Sequence, residues 1–357
     1  MTDQASTSIS PPLRLSVLDQ SPVSEDSTGA MALRNSVDLA RFTEELGYER
    51  YWVAEHHGTP MLSCASPEVL IAAICSVTSR LRVGSGGVML PHYSPVKVAE
   101  SFSMLAGLFG DRIDLGIGRA AGTDSTTAFA LQRDRRQGAP DDFPQQLAEL
   151  LAYLEDRMPP DHPFARLSLL PGRPGRPAVW LLGSSAQSGI WAAETGLPYA
   201  FADFISPNGA AIVAEYRKDF ASDGYLPAPR AIVAATVICA ETDGEAKRQA
   251  ASARMLFSMM QEGQLIAVPP VEKAVRFFAE RGLPPDAMPR GRRAIVGSPE
   301  TVRRGIEDLA AEYGADEVMI VTITYDHQVR RRSYELVARA FELPETVERS
   351  SIQSVAP

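Results

Sequence analysis

Eight short apolar, often β-branched runs alternate with amphipathic stretches along almost the whole chain, and this alternation restricts the fold more than any other feature. The runs fall at 13–18, 50–54, 81–85, 113–117, 178–182, 199–202, 231–238 and 318–322. Between them Leu33, Val37 and Ala40 recur at helical spacing, as do Leu147, Leu150, Leu151 and Leu154. Strands without a polar face, separated by helices, point to a parallel sheet covered on both sides. Ser66-Pro67, Ser94-Pro95 and Ser298-Pro299 each set a capping hydroxyl before a proline at a first helical position. Gly47 and Gly314 stand where helices should stop, each shortly before a strand. Eight βα units in 357 residues favour one α/β fold, a (β/α)8 TIM barrel, over two doubly wound domains. The other architecture, an open Rossmann-like sheet, would want a G-x-G-x-x-G fingerprint after its first strand, and none is present.

On this reading residues 13–341 form a single barrel domain, flanked by flexible ends at 1–12 and 342–357. Two connections exceed the usual loop length: 119–144 after strand 4, and 261–296 before strand 8 of the barrel. The second holds an apolar helical piece at 271–278 and the turn-rich Gly282-Leu283-Pro284-Pro285. Each is either a decorative insertion or a lid, since barrel chemistry lies at the C-terminal face of the strands and must exclude water.

A formal charge of −9 and a pI near 5.2 argue against a nucleic-acid or anionic-membrane partner. The short basic runs Arg133-Asp134-Arg135-Arg136 and Arg330-Arg331-Arg332 read as solvated faces. Cys64, Cys75 and Cys239 are odd in number and lack metal-site spacing, which fits a reducing cytoplasm. Residues 1–12 have neither the basic start nor the apolar middle of a signal peptide, and no apolar run approaches the roughly 20 residues that span a bilayer. A cytoplasmic protein is expected.

Chemistry gathers at the ends of the strands. Glu55-His56-His57 follows the second run, and places two of only five histidines side by side beside a carboxylate. Such groups are costly at an apolar strand end unless they have partners. Gly86-Gly87, within Val83-Gly84-Ser85-Gly86-Gly87-Val88-Met89-Leu90-Pro91, is either a plain turn or a bulge that brings backbone close to a flat ligand. Gly116-Ile117-Gly118-Arg119 ends the fourth run with a fixed cation, which is either a surface arginine or a phosphate clamp. Gly183-Ser184-Ser185-Ala186-Gln187-Ser188 opens a helix with hydroxyls and free N–H groups, either a simple cap or an anion site. A phosphorylated, planar cofactor would use all three places.

These segments, in this order, resemble the bacterial luciferase-like flavin monooxygenase family over roughly residues 13–341. The likeness rests on the EHH tripeptide, on VGSGGVMLPHYSPVKVAE and DRIDLGIGRA, and on Val296-Gly297-Ser298-Pro299-Glu300-Thr301-Val302 in the last βα unit. It implies a barrel that binds reduced FMN supplied by a separate flavin reductase, and that uses O2 through a C4a-peroxyflavin. His56 matches the family's proton-handling base, and Glu55 and His57 complete that motif. Gly86-Gly87 match a small-residue pair joined by a non-prolyl cis peptide beneath the flavin, a bond that costs about 3–4 kcal/mol. Arg119 and Ser184, after Gly183, match phosphate contacts, with Gln187 or Ser188 in the neighbouring role and a second arginine among Arg133, Arg135 and Arg136. Gly118 stands where luciferases carry a reactive cysteine, leaving more room over the flavin. The resemblance further implies a homodimer formed through helices at 67–78 and 95–108, where Ala72, Ala73 and Ala99 permit close approach. The nearest likeness is to small single-component oxygenases, some of which tailor natural products.

Trp52, Met89, Leu90, His92 and Tyr93 are candidates to line a cavity for an apolar or aromatic substrate, although Trp52 and Met89 also suit ordinary core. An F420-dependent dehydrogenase on the same barrel more often carries Asp-His at the second strand. A metal-dependent hydrolase would draw on His56, His57, His92 or His327 with Glu55, and His56 and His57 would have to clasp one ion. Consecutive strand residues point to opposite faces, so no metal is expected. A non-catalytic flavin-binding protein is the remaining alternative.

Overall fold

The computed structural model describes residues 13–119, 124–132, 142–167, 175–284 and 286–344. The expectations placed on 1–12, on 345–357 and on Arg133, Arg135 and Arg136 lie outside these residues. The strands are β1 (Arg14–Asp19), β2 (Arg50–Val53), β3 (Arg82–Met89), β4 (Ile113–Gly118), β5 (Ala178–Gly183), β6 (Tyr199–Ala202), β7 (Ala231–Cys239), β8 (Ala294–Gly297) and β9 (Glu317–Val321). Each of β1 to β6 pairs in parallel with the next, β6 pairs with β7, β7 with β9, and β9 with β1. The circuit closes on eight strands, a (β/α)8 TIM barrel. All eight expected runs take part. β8 was not among them: it lies outside the circuit and adds to the far end of β7, from Thr236–Ala294 to Cys239–Gly297. Four residues, Ala-Ile-Val-Gly, are too short a run to stand out from turn-rich surroundings.

The first six helices are α1 (Gly29–Glu45), α2 (Pro67–Cys75), α3 (Pro95–Phe109), α4 (Ser125–Leu131), α5 (Phe143–Glu155) and α6 (Ala186–Thr195). They are followed by α7 (Ala210–Lys218), α8 (Asp243–Gln249), α9 (Ala251–Gln261), α10 (Val271–Glu280), α11 (Pro299–Tyr313) and α12 (His327–Ala340). The Ser298 hydroxyl caps α11 by accepting from the Thr301 N–H, and Gly314 ends that helix at φ +56° with its N–H on the Ala310 and Ala311 carbonyls. Ser66 and Ser94 make no side-chain cap bond, contrary to the sequence expectation. At those two starts proline alone presets the first helical φ. Among the described residues no helix is long and apolar enough to cross a membrane.

Strand alternation divides the core. Leu18, Trp52, Trp180, Ala200, Ile232, Ala234 and Met319 form one buried cluster, the barrel interior. Their sequence neighbours Val17, Tyr51, Val53, Val179, Tyr199, Val233 and Val318 pack under the surrounding helices. One end of the interior is charged. Arg50, buried, contacts Glu317 through Nε at 2.6 Å and Nη2 at 3.0 Å, and Asp114 through Nη1 at 2.6 Å. Arg82 Nε reaches the other Asp114 oxygen at 3.1 Å, and the Trp52 indole N–H donates to Asp114 at 2.9 Å. These charges close the N-terminal end of the barrel as a matched set; removal of one member would leave its partners buried and uncompensated. The opposite, C-terminal end stays open for the site.

Candidate active site

Two cavities meet at the C-terminal ends of the strands. The first, of about 390 Å³, is walled by glycines from three successive strands: Gly86 and Gly87 of β3, Gly118 of β4 and Gly183 of β5. At two of these glycines a side chain would run into β1 or α6. A Cβ on Gly86 would lie 2.3 Å from Leu18 Cδ1, and one on Gly183 would lie 2.2 Å from Ser188 Oγ. The β3–β4 register slips between Gly86 and Val88, so Gly87 is an extra residue in its strand. No cis peptide bond occurs among the described residues, which corrects the expectation drawn for Gly86-Gly87. The slip turns the backbone there instead, since one unpaired residue is enough to re-aim a strand.

On β5 the chain leaves the barrel at Gly183 and enters α6 through Ser184 and Ser185, both lining the first cavity. Ser185 takes the extended N-cap conformation yet makes no side-chain cap bond. Ser188 Oγ instead donates to the Ser185 carbonyl at 2.7 Å and lies 2.8 Å from the Tyr199 hydroxyl. The first N–H groups of α6 therefore lack a capping side chain, beside the cavity wall. Arg119 stands at the same cavity, its Cζ 5.5 Å from the centroid of Trp191, a residue of α6 that lines it too. Gln187 is exposed and does not line the cavity. A cation and an uncapped helix start on one cavity wall suit an anionic group.

The second cavity, of about 370 Å³, contains His56 and His57. Phe204 and Ile205, which follow β6, line both cavities and form the partition between them. Glu55 is buried and meets three donors: His57 Nε2 and the Tyr93 hydroxyl, each 2.7 Å from Oε1, and the Met89 N–H, 3.0 Å from Oε2. A carboxyl held this way orients His57 and Tyr93 and pins the end of β3. His56 differs. Its backbone N–H donates to the Cys64 carbonyl at 2.9 Å, while Nδ1 is buried with no hydrogen-bond partner. Burial, aided by His57 alongside and only partly offset by the Ala54 carbonyl, pushes its pKa down to about 4, so the imidazole is neutral near pH 7.

Of the five residues considered for a cavity wall, two reach one, and Leu90 is buried in the core under the helices. Trp52 and Met89 line the first cavity, Trp52 being fully buried with its N–H committed to Asp114. His92 and Tyr93 line neither cavity; the His92 ring lies edge-on to His57 with centroids 6.5 Å apart. The second cavity is instead apolar through Met61, Leu62, Phe257, Met260 and Leu265. Sequence reasoning passed over these residues, and Gln20, Phe204, Ile205 and Arg292 with them. Gln20 and Phe204-Ile205 follow β1 and β6 as His56 follows β2, so the strand-end rule could have found them. Both long connections wall this cavity, through Asp124 from the first and Leu265 and Arg292 from the second. Among the described residues no group of three or more His, Cys, Asp or Glu is placed to hold a metal ion.

The chain matches the family model described as luciferase-like monooxygenase over residues 13–317. The uncharacterized protein YwcH of Bacillus subtilis (strain 168) is 43% identical over 329 residues, 92% of this chain and 98% of that protein. The N-acetyl-S-alkylcysteine monooxygenase of the same organism is 35% identical over 331 residues, again 92% of this chain and 98% of that protein. The crystal structure of apo-MsnO8 superposes with a TM-score of 0.85 at 42% identity, covering 94% of this chain and 100% of that one. In fold alone, the oxygenating constituent of 3,6-diketocamphane monooxygenase from Pseudomonas putida, solved with FMN, follows at TM-score 0.70 and 20% identity over 93% of this chain and 98% of that one.

Proposed function

Because the chain belongs to the luciferase-like monooxygenase family, we propose that it is the oxygenating component of a flavin monooxygenase that uses reduced FMN and O2, the reduced flavin arriving from a separate reductase. The observation that carries this reading is the pair of adjoining cavities, one glycine-walled with an anion-favouring end, the other holding a neutral His56 with a buried Nδ1. The residues of the first cavity fit FMN. Gly86, Gly87, Gly118 and Gly183 leave a wall without side chains, as a flat ring system requires. Arg119, Ser184 and the uncapped start of α6 would hold the phosphate, with Ser188 shaping that start and Gln187 on its exposed side. The volume of about 390 Å³ lies within the roughly 300–1,000 Å³ of small-molecule sites. The related fold of the diketocamphane enzyme carries FMN, which supports the same choice here.

Reduced flavin, when bound, supplies the electrons that activate dioxygen. The rest falls to the protein. His56 accepts and returns a proton at its unpartnered ring nitrogen, in an environment dry enough to keep it neutral. Glu55 acts through His57 and the Met89 backbone, fixing the end of β2 against β3. Phe204, Ile205, Met61 and Leu265 exclude water and receive an apolar or aromatic substrate. The three cysteines, all unpaired and buried, suit a cytoplasmic setting. Exposed Val69 on α2 and Met104 and Leu108 on α3 suit a homodimer.

The test is anaerobic titration of the purified protein with photoreduced FMN, followed by mixing with oxygen. Saturable binding and flavin reoxidation slower than in free solution are expected. Absence of binding would overturn the assignment and direct the same titration to reduced F420.

A further inference from the structure

Two neighbouring arginines in the second long connection are treated differently by the fold. Arg293 is paired with carboxylates: its Nε lies 3.0 Å from Asp203 and its Nη1 2.8 Å from Glu312. Arg292 has none. Its Nη1 donates to the Phe204 carbonyl at 2.6 Å, its Cζ lies 4.5 Å from the centroid of Phe257, and among the described residues no carboxylate stands within ion-pair distance. Burial, with no acid nearby to offset it, lowers the pKa of this guanidinium, though arginine keeps its charge at any physiological pH. Phe204, Phe257 and Arg292 all line the second cavity, so the charge is held at its wall by a carbonyl and an aromatic face.

The other lining residues offer no mate. Asp124 is the one acid among them, and its carboxylate accepts from the Thr126 and Thr127 N–H groups and the Thr127 hydroxyl as the cap of α4. His56 and His57 are bases, and most of the remainder is Met, Leu, Ile and Phe. A partly buried cation without a counter-charge is costly, and a substrate that supplies one recovers that cost on binding. One Arg292 N–H group is committed to Phe204, and Nη2 and Nε have no protein acceptor among the described residues. These two donors match the two oxygens of a carboxylate.

From this we infer that the substrate is an anionic amphiphile, a carboxylate on an apolar body, with its carboxylate on Arg292 and its chain along Met260, Leu265 and Met61 toward His56. The inference rests on the proposed function only in taking the second cavity as the substrate's. Arg292 is thus a specificity-determining residue: it selects for charge at one end and leaves the proton chemistry to His56.

The experiment compares octanoate with octanamide, a neutral probe of nearly the same shape, by calorimetric titration of the full chain without flavin. The wild type is expected to bind octanoate about tenfold or more tightly, as a hydrogen-bonded charge pair allows. The preference should weaken as salt is raised, and should vanish in Arg292→Met while surviving in part in Arg292→Lys. Equal affinities in the wild type, no binding of either probe, or a preference that outlasts Arg292→Met would each overturn the inference. Should Arg292→Met fail to fold, the salt dependence in the wild type decides alone. Titration of the same samples with reduced FMN reads the first cavity separately. Loss of FMN binding with the octanoate preference intact would remove the flavin assignment and leave this one standing.

Discussion

His56 and His57 are consecutive, and the strand geometry that ends at Val53 sends their rings to different partners. His57 is committed to Glu55 at 2.7 Å, while His56 keeps a buried Nδ1 without one. An imidazole in that position carries a signature in stability. Its folded pKa of about 4 lies below the ordinary 6.5, so between those values the unfolded chain takes a proton that the folded chain refuses. Stability from this group is whole above about pH 6.5 and falls as the pH drops toward 4, by up to about 3 kcal/mol in total. His56→Ala should therefore narrow the difference in melting temperature between pH 7 and pH 5 relative to the wild type. The same variant should bind reduced FMN normally and lose oxygenation; unchanged product formation would remove His56 from the chemistry. The EHH motif was legible in the sequence because histidine is rare in this chain, but which of the two rings is free depended on Glu55 and became visible only with the side chains placed.

At the scale of the element, β3 is held against β4 with no room to spare. A Cβ on Gly84 would lie 2.4 Å from the Asp114 backbone oxygen, whereas a Cβ on Gly118 would meet Met89 Sδ at an ordinary 3.4 Å. Gly84→Ala should lower stability by about 1–3 kcal/mol, the usual cost of overpacking. Gly118→Ala should stay within about 0.5 kcal/mol of the wild type. Urea denaturation midpoints of both variants check this, and equal shifts would contradict the crowding seen at Gly84. Element identity was readable from hydrophobic runs, since each barrel strand is buried on both faces. The register slip at Gly87 was only half readable: the glycine pair advertised an irregularity, and its form depended on how β4 lies alongside. The serines before Pro67 and Pro95 looked like caps by residue type, but neither hydroxyl finds the N–H it would need.

Over the whole molecule, three of the exposed apolar side chains stand on the neighbouring helices α2 and α3. Val69 on α2 and Leu108 on α3 are 68% and 69% exposed, and Met104 is 49% exposed. If these cover a second copy, Leu108→Asp should halve the mass measured by light scattering without unfolding the barrel, and a wild type already of monomer mass would dismiss the dimer. Barrel closure itself was legible from the count of βα units, whereas the second cavity was not. Phe257, Met260, Leu265 and Arg292 come from α9 and the connection after it, and meet His56 only because the closed barrel returns the chain over the mouth. Residues that follow strands announce themselves by position; residues that arrive from a distant connection carry no local mark. The thin wall of Phe204 and Ile205 has a consequence of another kind. On the proposed roles of the two cavities, a change of bulk in that dipeptide is felt on both sides at once, so a wider choice of substrate there would disturb the hold on the cofactor. Leu265 lines the second cavity and not the first, and a change there leaves that wall alone. On those roles descent is steered, with inheritance of the cofactor and novelty of the substrate written on separate stretches of chain.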